Sequence, residues 1–596
     1  MQPSALDVRL LVRWAAALLV AGCLGCGDGR PQVPARSVLL ITLDTTRQDA
    51  LGAYAAQART PRLDRLAAEG VTYDAAYTVT PLTQPSHASM MTGLYPPRHG
   101  MRINGVGALS GEAHTLAEGA QAAGYQTAAF FGALVLDEIY GLGQGFDAYV
   151  GPERVPGNAQ REKIEDRRAQ AVVDDALAWF EGRDAERPYF VWVHVFDPHH
   201  PYDPPADPSD DASGADGHSG ADPSASSPEE RYALEVSYVD GELARLLDAF
   251  VTGDPARDPV VALVADHGEA FGEHGEYSHG LFCYDATIRV PLLLRYPDGW
   301  RAGERSDDVV SVVDLYPTLL EAMQVPVADV DGESLYYRRV GSERGVYFES
   351  YLGYLSYGTS PLIGWRDGGG TYLHSAEPEL YGASDLAQER DLAGEASRAD
   401  ELARYRKALL AAADQPGLAL EEAAATAEMA ESLRALGYAS AGATRMELPA
   451  PLDPDGRASP RAMSKQYQET HLGMRLFQAQ DYSRAAEILT RVVRKAPQNY
   501  YAMDLLANAQ MQMGLFEDAL RLLRTVVTEG PGWPGSWFNM GVALVELGER
   551  EASLEPLRRA ISLAPHEVQF RQYLIDILRS IGRDDEADVL EGARAE

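Results

Sequence analysis

Ser37-Val-Leu-Leu-Ile-Thr-Leu-Asp44 is a continuous apolar run that ends on a carboxylate. A run without polar alternation reads as a parallel strand buried on both faces. The same design recurs at Tyr189-Phe-Val-Trp-Val-His-Val-Phe-Asp197 and at Pro259-Val-Val-Ala-Leu-Val-Ala-Asp266-His267, each with ionisable residues just past the strand. Helix-like stretches lie between them, at residues 60–70, 115–124, 167–182 and 229–251. Strands alternating with helices predict an α/β sheet sandwiched by helices, in which ligands gather at the carboxyl ends of the strands. Three strand ends therefore point toward one site.

At 596 residues the chain exceeds one hydrophobic core, so it divides into a large domain and attachments. With 45% hydrophobic and 23% charged residues it has ordinary globular material. Its formal net charge of -36 repels nucleic acid and anionic surfaces, so an anionic substrate requires local positive charge, such as a bound metal. Cys23, Cys26 and Cys283 are the three cysteines, too few for a disulfide framework, and Cys283 is expected to be a buried, inert thiol. Residues 1–22 carry Arg9 and Arg13 and then a short apolar stretch, an export signal too short to span a bilayer. Residues 23–36 read as a tether.

Residues 204–228, made of Asp, Ser, Ala, Gly and Pro, cannot repay the entropy of ordering and read as a disordered insertion, with His218 irrelevant to chemistry. Residues 396–460 turn Ala/Glu-rich and then Pro-rich, a helical trailer and linker. Beyond them the chain repeats with a period of 34: Gly514, Gly548 and Gly582; Pro497, Pro531 and Pro565; Ala485, Ala519 and Ala587, with Ser553 in the remaining place. That period with helix-pair patterning is the signature of tetratricopeptide repeats over residues 461–596, an all-α solenoid of three full units and a partial last hairpin.

The segment Thr83-Gln-Pro-Ser-His87, with Ala-Ser and Thr-Gly after it, resembles the sulfatase signature of the alkaline phosphatase superfamily. Asp44 in Leu-Asp-Thr-Thr-Arg47 resembles that family's first metal-binding strand end. Asp197-Pro-His199-His-Pro-Tyr202 resembles its substrate-binding histidine segment, and Asp266-His267-Gly-Glu its second metal-binding pair. His279-Gly280, Ile288-Arg-Val-Pro291 and Glu379-Leu-Tyr381 extend the match over residues 37–395. The resemblance implies a metal-dependent ester hydrolase with Asp44, Thr83, Asp266 and His267 as metal ligands. Leu19-Val-Ala-Gly-Cys23 similarly resembles a bacterial lipobox, which implies a lipid anchor at Cys23 and a place in the cell envelope, on the periplasmic face or outer surface.

Two departures alter the expected chemistry. Thr45 stands where sulfatases usually carry a second Asp, and Thr83 where they carry the Cys or Ser that becomes formylglycine. No formylglycine is expected. A sulfated threonine has no second hydroxyl with which to expel sulfate, whereas a phosphorylated threonine can be resolved by water attacking in line. The set is similar to that of the superfamily's threonine-nucleophile phosphodiesterases and of lipoteichoic-acid-synthase-like transferases, so phosphate or phosphonate esters are expected over sulfate esters. Two carboxylates and an imidazole suit Mn, Zn or Ca without selecting among them. Thr83 is expected to attack, with His199 and His279 binding the ester oxygens, protonating the leaving group or serving a second metal. Alternatives stand beside this reading. Thr83 could cap a helix beginning near Ser86, and His87 could orient Thr83 or fill the turn. The whole domain could be inactive, the repeats alone binding a protein or peptide partner.

Overall fold

The computed structural model describes residues 35–152, 166–205, 227–421, 423 and 448–592, apart from 337, 338, 342 and 566. The signal segment, Cys23, most of the tether, residues 206–226 with His218, and residues 424–447 lie outside the described residues.

The three apolar runs form adjacent central strands. β1 (Val38–Leu43), β2 (Val71–Tyr77), β3 (Gln126–Phe131), β4 (Ala148–Val150), β5 (Tyr189–Val195), β6 (Val260–Ala265), β7 (Leu292–Arg295) and β8 (Glu304–Ser311) make an eight-stranded sheet of order β4-β3-β5-β1-β6-β7-β2-β8. Its pairings are parallel except those of β7, which runs antiparallel to β6 and β2. β1, β5 and β6 are buried along their whole length, as their unbroken apolar sequences require.

The helices α1 (Pro61–Glu69), α2 (Thr83–Thr92), α3 (Leu116–Ala122), α4 (Ala169–Gly182), α5 (Pro228–Phe250) and α6 (Leu315–Ala322) form two groups. α5 packs against both α1 and α4, α2, α3 and α6 touch one another, and members of both groups pack on the sheet. The four long stretches expected to be helical are α1, α3, α4 and α5, each within two residues of its expected ends. A second, antiparallel sheet follows, β9 (Gly345–Ser350), β10 (Leu362–Asp367), β11 (Gly370–His374) and β12 (Glu379–Gly382), in the order β12-β11-β10-β9. α7 (Ala399–Ala413) packs on it through the buried Tyr405 and Leu409.

The Pro-rich stretch expected to be a linker is tied to this second sheet. Ser360 N donates to Ala458 O at 2.7 Å, Tyr354 Oη to Asp455 at 2.9 Å, and Ser459 Oγ to Glu377 at 2.8 Å. Composition predicted a linker because prolines and charges leave little to bury; Asp453 N and Arg457 N bond within the segment, to Ala450 O and Pro454 O, while the three bonds above tie it to the residues around the neighbouring sheet.

Four helical hairpins complete the chain: α8 (Ser464–Gln478) with α9 (Tyr482–Lys495), α10 (Tyr500–Gln512) with α11 (Phe516–Thr528), α12 (Pro534–Glu546) with α13 (Arg550–Leu563), and α14 (Val568–Ser580) with α15 (Asp584–Gly592). The periodic residues explain the hairpins. Gly514, Gly548 and Gly582 turn between paired helices at φ 74, 84 and 77, and Gln480 does so in the first hairpin at φ 62. Ala485, Ala519, Ser553 and Ala587 are fully buried where paired helices cross. The first hairpins share one apolar cluster with the catalytic body, in which Tyr467, Leu489 and Tyr501 join Leu82, Leu281, Leu352 and Tyr357.

Candidate active site

Register assembles the site. Leu43 pairs with Val195 on one side and Ala265 on the other, so the residues that follow these strands emerge side by side. Asp44 N donates to Val195 O at 3.0 Å and Asp266 N to Leu43 O at 3.1 Å, which extends both ladders by one residue and fixes where each carboxylate leaves the sheet. Thr83 opens α2, and the helix is stitched to the end of β6 by Ser86 Oγ, which donates to Asp266 O at 2.8 Å. Leu82, not Thr83, is the N-cap, and no side chain caps the helix. The helix starts three residues earlier than the capping alternative required, so the Thr83 hydroxyl points to the site, 3.3 Å from His267 Nε2.

Asp44, Asp266 and His267 each offer a ligand atom, and these atoms lie within 4.8 Å of one another. His267 Nδ1 sits 3.0 Å from Gly268 O; a carbonyl only accepts, so Nδ1 carries the proton and Nε2 presents its lone pair to the site. Both oxygens of Asp44 and Oδ2 of Asp266 are buried without a hydrogen-bond donor. Burial, and then the neighbouring Asp266, pushes the Asp44 carboxyl well above its ordinary range. Asp266 is also raised by burial, against the opposing N–H groups of His267 and Thr45. Unpartnered carboxylate oxygens facing an imidazole lone pair form an acceptor-only cradle, the donor chemistry that a divalent cation completes.

A second layer of side chains, of which the sequence marked only His87, stands behind the cradle. His87 Nδ1 lies 2.8 Å from Thr83 O, and burial lowers this imidazole to about 4, so it is neutral with the proton on Nδ1. Its Nε2, 3.1 Å from Thr42 Oγ1, must accept the Thr42 hydroxyl proton. Thr42 Oγ1 then accepts from Trp192 Nε1 and His194 Nδ1, both at 2.9 Å. That leaves the lone pair of His194 Nε2 facing Asp44 Oδ2 at 3.3 Å, acceptor against acceptor, a contact that requires a proton or a cation between or beside them. His194 was legible in principle as the one histidine inside β5, opposite Thr42 in β1. His87 thus positions the Thr83 backbone as well as filling the turn.

His199 and His279 stand beside this centre, with ring centroids 5.3 Å apart and His279 4.4 Å from His267. His199 Nδ1 donates to His200 O at 2.8 Å, and burial followed by His279 holds its imidazole well below the ordinary value. A neutral His199 protonated on Nδ1 offers Nε2 as an acceptor, which suits it poorly to donating a proton. His279 Nδ1 instead donates to Glu269 Oε1 at 3.1 Å, and Glu269 Oε2 accepts from Tyr202 Oη at 2.8 Å. A carboxylate that accepts from an imidazole N–H fixes its tautomer. Of the two histidines expected to serve the ester, His279 has a carboxylate bonded to its ring and His199 a backbone carbonyl.

Other expected residues go elsewhere. Thr45, at φ 46, donates its N–H to Asp266 Oδ1 at 3.3 Å and its hydroxyl to Pro198 O. Asp197 is held by Arg168 and by Ala169 N at the start of α4, not at the metal ligands. Arg47 is engaged by Asp49 and Glu273. Cys283 is buried and unpaired, its thiol raised by burial, in accord with an inert role.

The fold and this cradle define a sulfatase-fold hydrolase. Residues 36–325 match the family model described as Sulfatase, and residues 476–537 the one described as Tetratricopeptide repeat. The chain thus carries a sulfatase domain of the alkaline phosphatase superfamily followed by tetratricopeptide repeats. It is 26% identical over 366 residues to the uncharacterized sulfatase YidJ of Escherichia coli (strain K12), covering 52% of this chain and 72% of that one. An arylsulfatase of Clostridium perfringens is 24% identical over 372 residues, covering 50% of this chain and 77% of its own. Among solved structures, a phosphonate monoester hydrolase of Agrobacterium radiobacter shares the fold with a TM-score of 0.52 at 21% identity, over 64% of this chain and 96% of that one. Enzymes of this fold depend on a metal, and Asp44, Asp266 and His267 form a site that can hold one.

Proposed function

We propose that this protein hydrolyses a phosphate or phosphonate ester through Thr83. The observation that carries the reading is a buried threonine hydroxyl 3.3 Å from His267 Nε2, at the edge of a cradle of unpartnered carboxylate oxygens. A divalent cation held by Asp44, Asp266 and His267, with Thr83 as a further ligand, would supply Lewis acidity that lowers the hydroxyl pKa and offsets charge on the ester. The chain's own groups do the rest. Thr83 Oγ1 forms the bond to phosphorus as its proton passes to solvent, the bond to the leaving oxygen breaks, and His279 Nε2 protonates that oxygen while Glu269 holds Nδ1. Neutral His279 then takes a proton from water, whose oxygen attacks phosphorus as the bond to Thr83 Oγ1 breaks, and Thr83 Oγ1 takes a proton back from solvent.

A sulfate ester is the second reading, favoured by the sulfatase names of the relatives. The N-terminal sequence supports export and lipid anchoring at Cys23, and the repeats support a protein partner. The test is turnover of an aryl phosphodiester, a phosphonate monoester and an aryl sulfate by the parent, Thr83→Ala and Thr83→Ser, each loaded with metal. Phosphorus-ester turnover lost in Thr83→Ala and retained in part by Thr83→Ser supports the reading. Turnover of the sulfate alone, or an active Thr83→Ala, overturns it.

A further inference from the structure

Glu269 and His279 face each other across the base of a hairpin. Beside their 3.1 Å bond, Ala270 N donates to Ser278 O at 2.9 Å, and Gly272 N donates to Glu276 O at 2.7 Å where the chain reverses. The tip is a single tight turn, Glu273–Gly275, with His274 at φ 52 and Gly275 at φ 85. Its first leg is tied to the catalytic domain, where Gly268 N donates to Thr287 O at 2.8 Å and Glu269 O accepts from Arg47 Nη1 at 2.9 Å.

The first repeat helix closes on the tip. Gln468 Nε2 donates to Gly275 O at 2.8 Å, and Ser464 Oγ donates to His274 O at 3.4 Å. These are consecutive carbonyls of the turn, and the two donors, four residues apart, share one face of α8. The approach leaves no room for a side chain: a Cβ on Gly275 would collide with Ser464 Oγ and lie 2.7 Å from Gln468 Nε2. The same face of α8 reaches the second leg through its packing. Tyr467 and Tyr357 have ring centroids 4.9 Å apart, and both share a buried apolar cluster with Leu281, two residues past His279. Leu281 N in turn donates to Glu276 at 2.8 Å, which ties that leg back to the tip. On its other side the tip meets the catalytic domain, where His274 Nε2 donates to Ala387 O at 3.1 Å and the His274 ring stacks on Tyr284 with centroids 3.6 Å apart. One wall around the turn thus comes from the catalytic domain and the other from the repeats.

We propose that Gln468 and Ser464 are positioning residues for the Glu269–His279 pair, so that the first tetratricopeptide repeat is a working part of the active site as well as a mount for a partner. The inference deepens the ester-hydrolysis reading, because it takes His279 as the group that serves the leaving oxygen. A tip released from α8 lets the hairpin base shift, and a misplacement of about 1 Å at a reacting group costs up to about a hundredfold in rate.

Hydrogen exchange on the metal-loaded full chain, without substrate, tests the contact, and turnover tests its consequence. Gln468→Met removes the donor and keeps the side-chain length, whereas Gln468→Lys keeps an N–H donor. Loss of one hydrogen bond should speed exchange at the Ala270, Gly272 and Gly275 amides about tenfold in Gln468→Met and leave β1, β5 and β6 unchanged. Gln468→Lys should return them to within about threefold of the parent. On whichever ester the parent hydrolyses, Gln468→Met should lower kcat about tenfold for the phenyl ester and less than about threefold for the 4-nitrophenyl ester, with KM within about twofold. Unchanged hairpin exchange, exchange that speeds up in the central strands as well, or a loss of kcat equal for both esters overturns the proposal. Exchange needs no ester, and the kinetic comparison runs on phosphorus or sulfate esters alike, so failure of the phosphorus-ester reading is seen separately, in the parent's choice of substrate.

Discussion

Replacing Asp44 by Asn should stabilise the metal-free protein and abolish its response to metal. Asp44 and Asp266 are fully buried, and their site-facing oxygens lie within 4.8 Å of one another. At that distance and an effective dielectric of about 20, two unit charges repel by roughly 3.5 kcal/mol, before the desolvation of either is added. Both carboxyls are accordingly raised above their ordinary range. A carboxyl raised on folding takes up protons as the chain folds, so its stabilising contribution is present at low pH and lost as pH rises through the raised value. The advantage of Asp44→Asn should therefore be fullest at pH 8 and fade as the pH falls. For a chain of this size, about 3 kcal/mol corresponds to about 3 °C in Tm, if the body melts as one unit. Differential scanning calorimetry after chelation would show the variant melting higher than the parent at pH 8. Adding Mn or Zn to about 100 times Kd should restore roughly 2.7 kcal/mol to the parent and little to the variant. A metal-free variant less stable than the parent at pH 8, or one stabilised equally by metal, would refute the cradle.

Glu269→Gln should lower kcat by about a hundredfold on esters with poor leaving groups and much less on nitrophenyl esters, with KM little changed, because it removes support for a proton donor; equal loss on both substrate types counts against His279 as the acid. Gly275→Val sets a β-branched residue at φ 85 and drives its Cβ into Ser464 and Gln468, so urea unfolding should show a loss of about 2 kcal/mol, and a change below about 0.5 would mean that α8 and the loop at Gly275 are not in that contact. Glu235 is raised to about 7, by burial first and by Asp197, so its contribution is complete below the ordinary glutamate range and lost as pH rises through 7. Glu235→Gln should gain about 1–3 kcal/mol relative to the parent at pH 8 and little at pH 4, read from urea midpoints; a gain independent of pH would contradict that assignment.

Local pattern was enough for the architecture. Unbroken apolar runs ending on Asp44, Asp197 and Asp266 marked the strands because burial on both faces leaves no polar alternation, and the spacing of 34 marked the hairpins because Gly514, Gly548 and Gly582 each occupy a left-handed turn. Motif order likewise brought Asp44, Thr83, Asp266 and His267 together before any coordinates, since the ends of adjacent parallel strands and one helix start must meet at a single edge. What pattern could not supply was partnership between residues remote in sequence. His194 read as one residue of an apolar strand, and only its pairing with Thr42 and Asp44 gives it a role. His199 and His279 shared one set of expected roles, and only the structure shows Glu269 behind one and a backbone carbonyl behind the other. The Pro-rich end of residues 396–460 read as linker because composition reports what a segment can bury, not what lies beside it. Sequence determines periodicity and burial along one chain; which charge is left unpaired, and beside what, is decided only when distant segments pack.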